Sequence, residues 1–245
     1  MLRLMKALKS TLWFALAFAA LAVVAVPARA QLTNITGLFT TGVNGSNVLL
    51  GNNVADAHYV VSNVPALAPV NNAGSSMTVS TALPAGWAAN TASARWVTTP
   101  GTPAKGTGTG GANPQRVTGT FDYTLTFTMP AGAQLTTVSI TGAGAADDSA
   151  TIYVNGTLVS GQALSAATGT NSFTLDSSNA AFVAGSNTVT FRVNNVTNKS
   201  NTGLFVSSFS GTVIVPETAA YLPAAGAVGI YGLLALRRRW RTRNR

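Results

Sequence analysis

The chain has 245 residues, no cysteine, 9% charged residues and a formal net charge of +9. Without thiols it has no disulfide, no thiolate metal site and no cysteine nucleophile. Four basic residues precede residue 30 and six follow residue 236, which leaves five against six acidic residues in between. A body this close to neutral lacks the basic surface by which proteins bind nucleic acid.

The N-terminus has the pattern of a signal peptide, with basic residues, an uncharged apolar segment and a small-x-small cleavage site. These parts are Arg3, Lys6 and Lys9, then residues 12–26, then Ala28 and Ala30. We therefore predict that residues 1–30 are a signal peptide and that signal peptidase cleaves before Gln31. An N-terminal membrane anchor is the alternative, but the short apolar core and the cleavage site favour removal.

Residues 31–214 show the alternation of apolar and polar side chains that is typical of half-buried β-strands. The apolar members of three such runs are Phe121, Tyr123, Leu125, Phe127 and Met129, then Val138 and Ile140, then Val189, Phe191 and Val193. A further strand is predicted over residues 204–215. Short strands separated by Gly, Asn, Ser and Thr predict one all-β domain, an antiparallel β-sandwich.

Turn residues mark a hairpin and two irregular segments in this body. Asn155-Gly156 tolerates the positive φ angles of a type I′ turn, so residues 150–160 predict a tight β-hairpin. The Gly-, Thr- and Pro-rich segment from about Thr98 to Gly119 predicts a long exposed loop between two strands. Residues 65–74 predict a second break.

Few residues of the body are suited to catalysis. His58 is the only histidine, and no nucleophile motif surrounds it; Asp56, two residues away, would share its face of a strand. Asp147 and Asp148 are sequence neighbours, which does not suit the separated carboxyl pair of a glycosidase. We therefore expect no enzymatic activity and no catalytic residue. The remaining alternative is a hydrolase, which would be supported by an activity that disappears when His58 or Asp147 is replaced.

Asp147 and Asp148 could instead form a loop carboxylate pair. With oxygens from Ser149 or Asn155 the pair could bind Ca²⁺, which takes six to eight oxygen ligands. The alternative is an Asx-turn that precedes the strand beginning at Ala150, and no cofactor.

Tryptophan is the best candidate for contact with a sugar, because its flat ring can stack on the apolar face of a pyranose. Trp87 follows Pro84-Ala85-Gly86 and could be exposed in a loop, and Trp96 is the second candidate. For both, packing in the fold is the alternative. Tyr123 falls on the apolar face of its strand and is predicted to be core.

The C-terminus has the pattern of a membrane stop signal. An uncharged, mostly apolar run over residues 219–236 would span about 27 Å as a helix, close to the thickness of a bilayer core. Arg237, Arg238 and Arg239 follow it, and residues 237–245 contain three further arginines. This order predicts a transmembrane helix with a cytoplasmic basic tail, so that the body lies on the other side of the membrane.

The C-terminal pattern resembles the PEP-CTERM sorting signal of exported proteins from Gram-negative bacteria that also make extracellular polysaccharide. The resemblance covers residues 215–245 and rests on Val215, Pro216 and Glu217, the apolar run and the arginines; Thr218 stands where the motif has a second proline. It implies that residues 215–218 are the processing motif and that an exosortase-like membrane peptidase cleaves near Pro216 to Thr218. Val-Pro-Glu-Thr-Ala also resembles a sortase motif, for which cleavage would follow Thr218.

The body resembles a galactose-binding-like jelly-roll module over residues 95–213. The resemblance rests on Trp96-Val97, Gly119 to Phe127, Ala145 to Asp148, Ile152 to Gly156, Phe182 to Phe191 and Thr202 to Leu204. It implies a jelly-roll β-sandwich, a fold that carries carbohydrate-binding sites in some proteins and none in others.

Together these features predict an exported protein that is anchored transiently in the inner membrane and then placed on the cell surface or in the extracellular matrix, as in a biofilm. We expect a non-catalytic, structural or adhesive role, with extracellular polysaccharide as a partner and no nucleic acid. A carbohydrate-binding, lectin-like module is the alternative.

Overall fold

The computed structural model describes residues 30–65, 74–79, 83–99, 118–165, 167–196 and 201–217. The predicted signal peptide before Ala30, the C-terminal helix and the basic tail lie outside these residues, as do most of both irregular segments. Residues from Leu32 to Val215 form one compact unit.

The described residues form eleven strands and one short 3-10 helix, Leu135–Thr137. The strands are β1 Ala30–Asn34, β2 Ala55–Ser62, β3 Gly74–Val79, β4 Trp96–Thr98, β5 Gly119–Thr128, β6 Ser139–Asp147, β7 Ser149–Val154, β8 Thr157–Ser165, β9 Asn171–Asp176, β10 Ser186–Asn195 and β11 Gly203–Pro216. The predicted strands are therefore confirmed as β5, β6, β7, β8, β10 and β11, and β4 and β5 flank the predicted loop.

The strands form a single antiparallel sheet in the order β8-β7-β10-β5-β2-β3-β4-β11-β6-β9, with β1 paired to β11. The strands at its two ends are joined by side chains: the Gln162 oxygen accepts the Thr174 N–H at 2.9 Å, and the Asn171 oxygen accepts the Ser165 N–H at 2.8 Å. The sheet is thus nearly closed into a barrel-like sandwich, and the predicted all-β class is confirmed.

The core follows from the alternation seen in the sequence. Phe121, Tyr123, Leu125 and Phe127 of β5 are each at most 2% exposed, as predicted. Three more rings, Phe173, Phe191 and Phe209, meet edge to face with centroid distances of 5.5–6.3 Å. Such pairs add about 0.5–1.5 kcal/mol each to the free energy gained by burial.

The predicted hairpin joins β7 to β8. Asn155 and Gly156 have φ angles of 48° and 79°, as a type I′ turn requires. The Asn155 side-chain oxygen also accepts the Thr188 N–H at 2.9 Å, and its amide donates to the Asn187 side chain at 2.8 Å. The turn is therefore fastened to β10.

Candidate functional site

Trp87 and Trp96, the two predicted sugar-binding candidates, lie against each other with ring centroids 4.1 Å apart. Trp96 also stacks on Phe205 at 5.3 Å and is 0% exposed, whereas Trp87 is half-buried. The Trp96 ring therefore has no face open to a ligand, and Trp87 is the member of the pair that reaches the surface.

This arrangement arises because β4 is buried on both of its faces. Val97 packs into the main core, while Trp96 points the other way into a second cluster with Ala94, Ala145 and Phe205. The Trp96 indole N–H donates to the Ala88 carbonyl oxygen at 2.8 Å, which satisfies the polar atom of a buried ring.

A tight turn sets the position of Trp87. The Trp87 N–H donates to the Pro84 carbonyl oxygen at 3.1 Å, and Gly86 has a φ of 89°, as the third residue of a type II turn requires. The ring edge packs on Gly203, where a Cβ would lie 2.5 Å from Trp87 Cη2. The indole N–H donates to Asp147 Oδ2 at 2.7 Å. Trp87 is thus held by its backbone, its ring edge and its polar atom.

Asp147 is the carboxylate that accepts the Trp87 indole N–H, and its environment shifts its pKa. Partial burial raises its pKa to about 6; the Trp87 hydrogen bond acts against this and the nearby Asp148 carboxylate adds to it. The group can therefore gain or lose a proton in mildly acidic solution.

Asp148 fastens the β6–β7 corner to the end of β10. Its Oδ2 accepts the Val196 N–H at 2.8 Å, and its own N–H donates to the Asn194 carbonyl oxygen at 3.2 Å. Asn155, a predicted ligand partner, is committed to the hairpin turn described above. Within the described residues no group of three or more His, Asp or Glu side chains is arranged to hold a metal ion. The Ca²⁺ site remains a prediction that rests on the two carboxylates.

His58 and Asp56, predicted to share one face of a strand, are in contact in β2. His58 Nδ1 is 3.3 Å from Asp56 Oδ1 and 3.1 Å from the Val43 carbonyl oxygen, and the His58 ring stacks on Phe39. Asp56 is buried and accepts the Gly42 N–H at 2.7 Å; burial raises its pKa, and the hydrogen bonds from Gly42 and His58 oppose that change. Through these contacts His58 and Asp56 join residues 39–43 to β2.

A polar cluster that the sequence did not predict lies on the outer face of three neighbouring strands. Arg192 donates two hydrogen bonds to Asp122, at 2.7 and 2.8 Å, and its guanidinium lies 4.6 Å from the Tyr153 ring centroid. The hydrogen bonds to Asp122 raise the pKa of Arg192 further above its ordinary value. In the sequence, Arg192 and Asp122 appear only as opposite charges on the exposed faces of two strands. Only the β5–β10 register shows that they are paired with each other.

The predicted sorting motif lies at the end of the last strand. Val215 and Pro216 are half-buried residues of β11, Glu217 is exposed, and Thr218 and Arg237 to Arg239 lie outside the described residues. At the other end, Ala30 begins β1, while Ala28 is not described. In the part of the chain that the structure describes, no helix has the length and apolar character needed to cross a membrane.

No protein-family model matches the chain, and a search of curated proteins finds no match either. Function is therefore inferred from the residues and their geometry.

Proposed function

We propose that this chain is an exported, surface-sorted protein of a Gram-negative bacterium. Its β-sandwich body has a non-catalytic, structural or adhesive role in the cell envelope or the extracellular polysaccharide matrix. The two terminal signals and the near-neutral, thiol-free body support the destination.

The observation that carries the non-catalytic role is the use that the body makes of its acids. The carboxylates of all five aspartates accept hydrogen bonds that hold loops, turns and strand pairs together; they belong to Asp56, Asp122, Asp147, Asp148 and Asp176. General acid–base catalysis needs a carboxyl or imidazole group that is free to meet a substrate. In this body the five aspartates hold the fold together, as expected of a protein with a structural role.

The geometry of the chain ends bears on how the signals are removed. A peptidase binds its substrate as an extended segment, which a strand already paired in a sheet cannot supply. We infer that signal peptidase cuts before Gln31 while the chain is still being exported, before β1 pairs with β11. At the other end an exosortase-like peptidase would cut at or beyond Glu217, since β11 extends to Pro216.

Intact-mass analysis of the mature protein from the producing cells tests the delivery. We expect an N-terminus at Gln31 and a C-terminus within residues 216–218, in protein recovered from the cell surface or matrix. An uncut chain in the cytosol would overturn the proposal, and a mature protein that retains Arg237 to Arg239 would reduce the C-terminal signal to a membrane anchor.

The second candidate function is carbohydrate binding by a galactose-binding-like jelly roll. It is favoured by Trp87, a half-buried ring that is fixed in place beside a carboxylate, since a preorganised aromatic platform loses little entropy when a sugar stacks on it. Glycan binding that is lost in Trp87→Ala and kept in Tyr153→Ala would support it. If the host's own polysaccharide binds equally to the wild type and to Trp87→Ala, Trp87 is a packing residue only.

A further inference from the structure

The dipeptide Asn-Gly occurs twice in the chain, at Asn44-Gly45 and at Asn155-Gly156. The first lies in a turn that a β-bridge closes, and the second joins β7 to β8. Glycine has no side chain to shield its backbone nitrogen, so that nitrogen can attack the side-chain amide carbon of the asparagine before it. The two dipeptides are chemically alike, and they differ in how the fold holds the asparagine.

The Asn155 side chain is fixed at both of its polar atoms. Its nitrogen donates to the Ala181 carbonyl oxygen and to Asn187 Oδ1, each at 2.8 Å, and its oxygen accepts the Thr188 N–H at 2.9 Å. All three partners lie on or just before β10, so the side chain cannot turn toward Gly156 without breaking contacts to another part of the sheet. At about 1 kcal/mol for each hydrogen bond the cost is about 3 kcal/mol, which slows a reaction about a hundredfold.

The Asn44 side chain is exposed and is held at its oxygen alone. That oxygen accepts the Ser46 N–H at 2.9 Å and the Val48 N–H at 3.0 Å. Among the described residues, the Asn44 side-chain nitrogen donates to no acceptor. The space around Gly45 is open, because a Cβ there would meet no atom within 4 Å. Water therefore has access to the side-chain nitrogen.

We propose that Asn44 is a site of spontaneous deamidation, against which the fold protects Asn155. The Gly45 nitrogen loses its proton to a base in the solvent and bonds to Asn44 Cγ. The Cγ–Nδ2 bond breaks, and the nitrogen takes up a proton and leaves as ammonia. Water then opens the cyclic imide at either of its two carbonyl groups, which yields aspartate or isoaspartate at position 44.

The two hydrogen bonds to the Asn44 oxygen favour this reaction. When the Gly45 nitrogen attacks, negative charge develops on that oxygen, to which the Ser46 and Val48 N–H groups already donate. Backbone donors in this arrangement stabilise a tetrahedral intermediate as an oxyanion hole does. At Asn155 the oxygen has one backbone donor, and the leaving nitrogen must break two hydrogen bonds to depart.

The product changes both the charge and the backbone of a turn that contacts β2. Either product adds a negative charge at position 44, next to Val43, whose carbonyl oxygen lies 3.1 Å from His58 Nδ1. Isoaspartate also adds a methylene group to the main chain between Val43 and Leu49, which pair across the turn. Because hydrolysis does not restore the amide, the modified fraction rises with the age of the molecule. The inference does not depend on the proposed function.

Incubation of the protein, purified from the producing cells, in mildly alkaline buffer tests the proposal. Trypsin places the two sites in different peptides, because Arg95 and Arg116 lie between them. Mass spectrometry then measures deamidation at each site, and electron-transfer fragmentation identifies isoaspartate. In the folded protein we expect Asn44 to react about tenfold or more faster than Asn155. In concentrated urea, where both turns are lost, the two sites should react at similar rates.

Gly45→Ala is the variant that isolates the attack on Asn44. Its added methyl group hinders the approach of the nitrogen and meets no other atom, so modification at position 44 should slow about tenfold or more while the fold is retained. Gly169→Ala is the matched control, since its Cβ also meets no atom within 4 Å and residue 169 does not follow an asparagine. It should leave the rate at Asn44 unchanged, and thermal melts of both variants check that they are folded.

Three results would overturn the proposal. The first is an equal rate at the two sites in the folded protein, or a faster reaction at Asn155. The second is an Asn44 that reacts in urea and stays intact in the folded protein, because its turn would then be protective. The third is a rate at Asn44 that Gly45→Ala does not change.

Discussion

Replacing Asp147 with asparagine isolates the electrostatic part of the Trp87–Asp147 contact. Asparagine has nearly the shape of aspartate, and its side-chain oxygen can still accept the Trp87 indole N–H bond. It carries no charge at any pH. A comparison of Asp147→Asn with the wild type therefore removes the ionisation and retains the hydrogen bond.

The direction of the effect follows from the pKa of Asp147, which partial burial raises from 3.8 to about 6. Because the folded protein holds this proton more tightly than the unfolded chain does, the wild type is stabilised by it below about pH 4. That stabilisation is lost as the pH rises through about 6. The full change in pKa corresponds to about 3 kcal/mol. Since the carboxyl is partly in contact with water, we expect screening to reduce the effect to about 1 kcal/mol.

Urea unfolding of both proteins from about pH 4 to about pH 8 measures this effect. The free energy of unfolding of Asp147→Asn, relative to the wild type, should rise by about 1 kcal/mol across that range. Asp176→Asn is the control. Hydrogen bonds from Ser178 lower the pKa of Asp176, so its linkage change lies below about pH 4, and the stability of Asp176→Asn relative to the wild type should stay constant from about pH 4 to about pH 8. A difference between Asp147→Asn and wild type that stays constant or falls with rising pH would refute the reasoning.

Two further predictions concern side-chain packing, and a third concerns an ion pair. Gly203→Ala should cost about 1–3 kcal/mol and alter the near-UV circular dichroism of the tryptophans, because its Cβ would lie 2.5 Å from Trp87 Cη2. A double-mutant cycle between Arg192 and Asp122 should give a coupling of about 1 kcal/mol that weakens in about 1 M salt, since the paired side chains are partly exposed. Phe173→Ala should lower the free energy of unfolding by about 3–5 kcal/mol, because the ring is buried against two other phenylalanines.

The two packing changes each have a control at a position without the feature. Gly45→Ala adds a Cβ that meets no atom within 4 Å, so it should leave the tryptophan spectrum unchanged. Val60→Ala removes a side chain that is 46% exposed and should cost much less than Phe173→Ala. An equal loss of unfolding free energy in Phe173→Ala and Val60→Ala would contradict the packing assignment. An Arg192–Asp122 coupling energy that salt does not alter would contradict the ion-pair assignment.

The sequence determined the fold class because the signals for strands and tight turns are local. Alternation along Phe121 to Met129 requires only that neighbouring side chains point to opposite faces of a strand. The Asn155-Gly156 turn requires only two residues that tolerate positive φ, and both have it. The shared strand face of His58 and Asp56 was predicted for the same reason, since they lie two residues apart; their contact was found only in the structure.

Register and layering were decided only by the tertiary structure. Arg192 meets Asp122 because β5 and β10 pair in one particular register, and nothing within either strand specifies it. Trp96 is enclosed because β4 is buried on both faces, where alternation no longer separates inside from outside. The segment after β1 lies beside β11, where the Val206 N–H donates to the Thr41 hydroxyl and joins residues 165 positions apart in the sequence. Contacts between segments so far apart depend on how the whole sheet closes, and a local pattern of side chains carries no record of that closure.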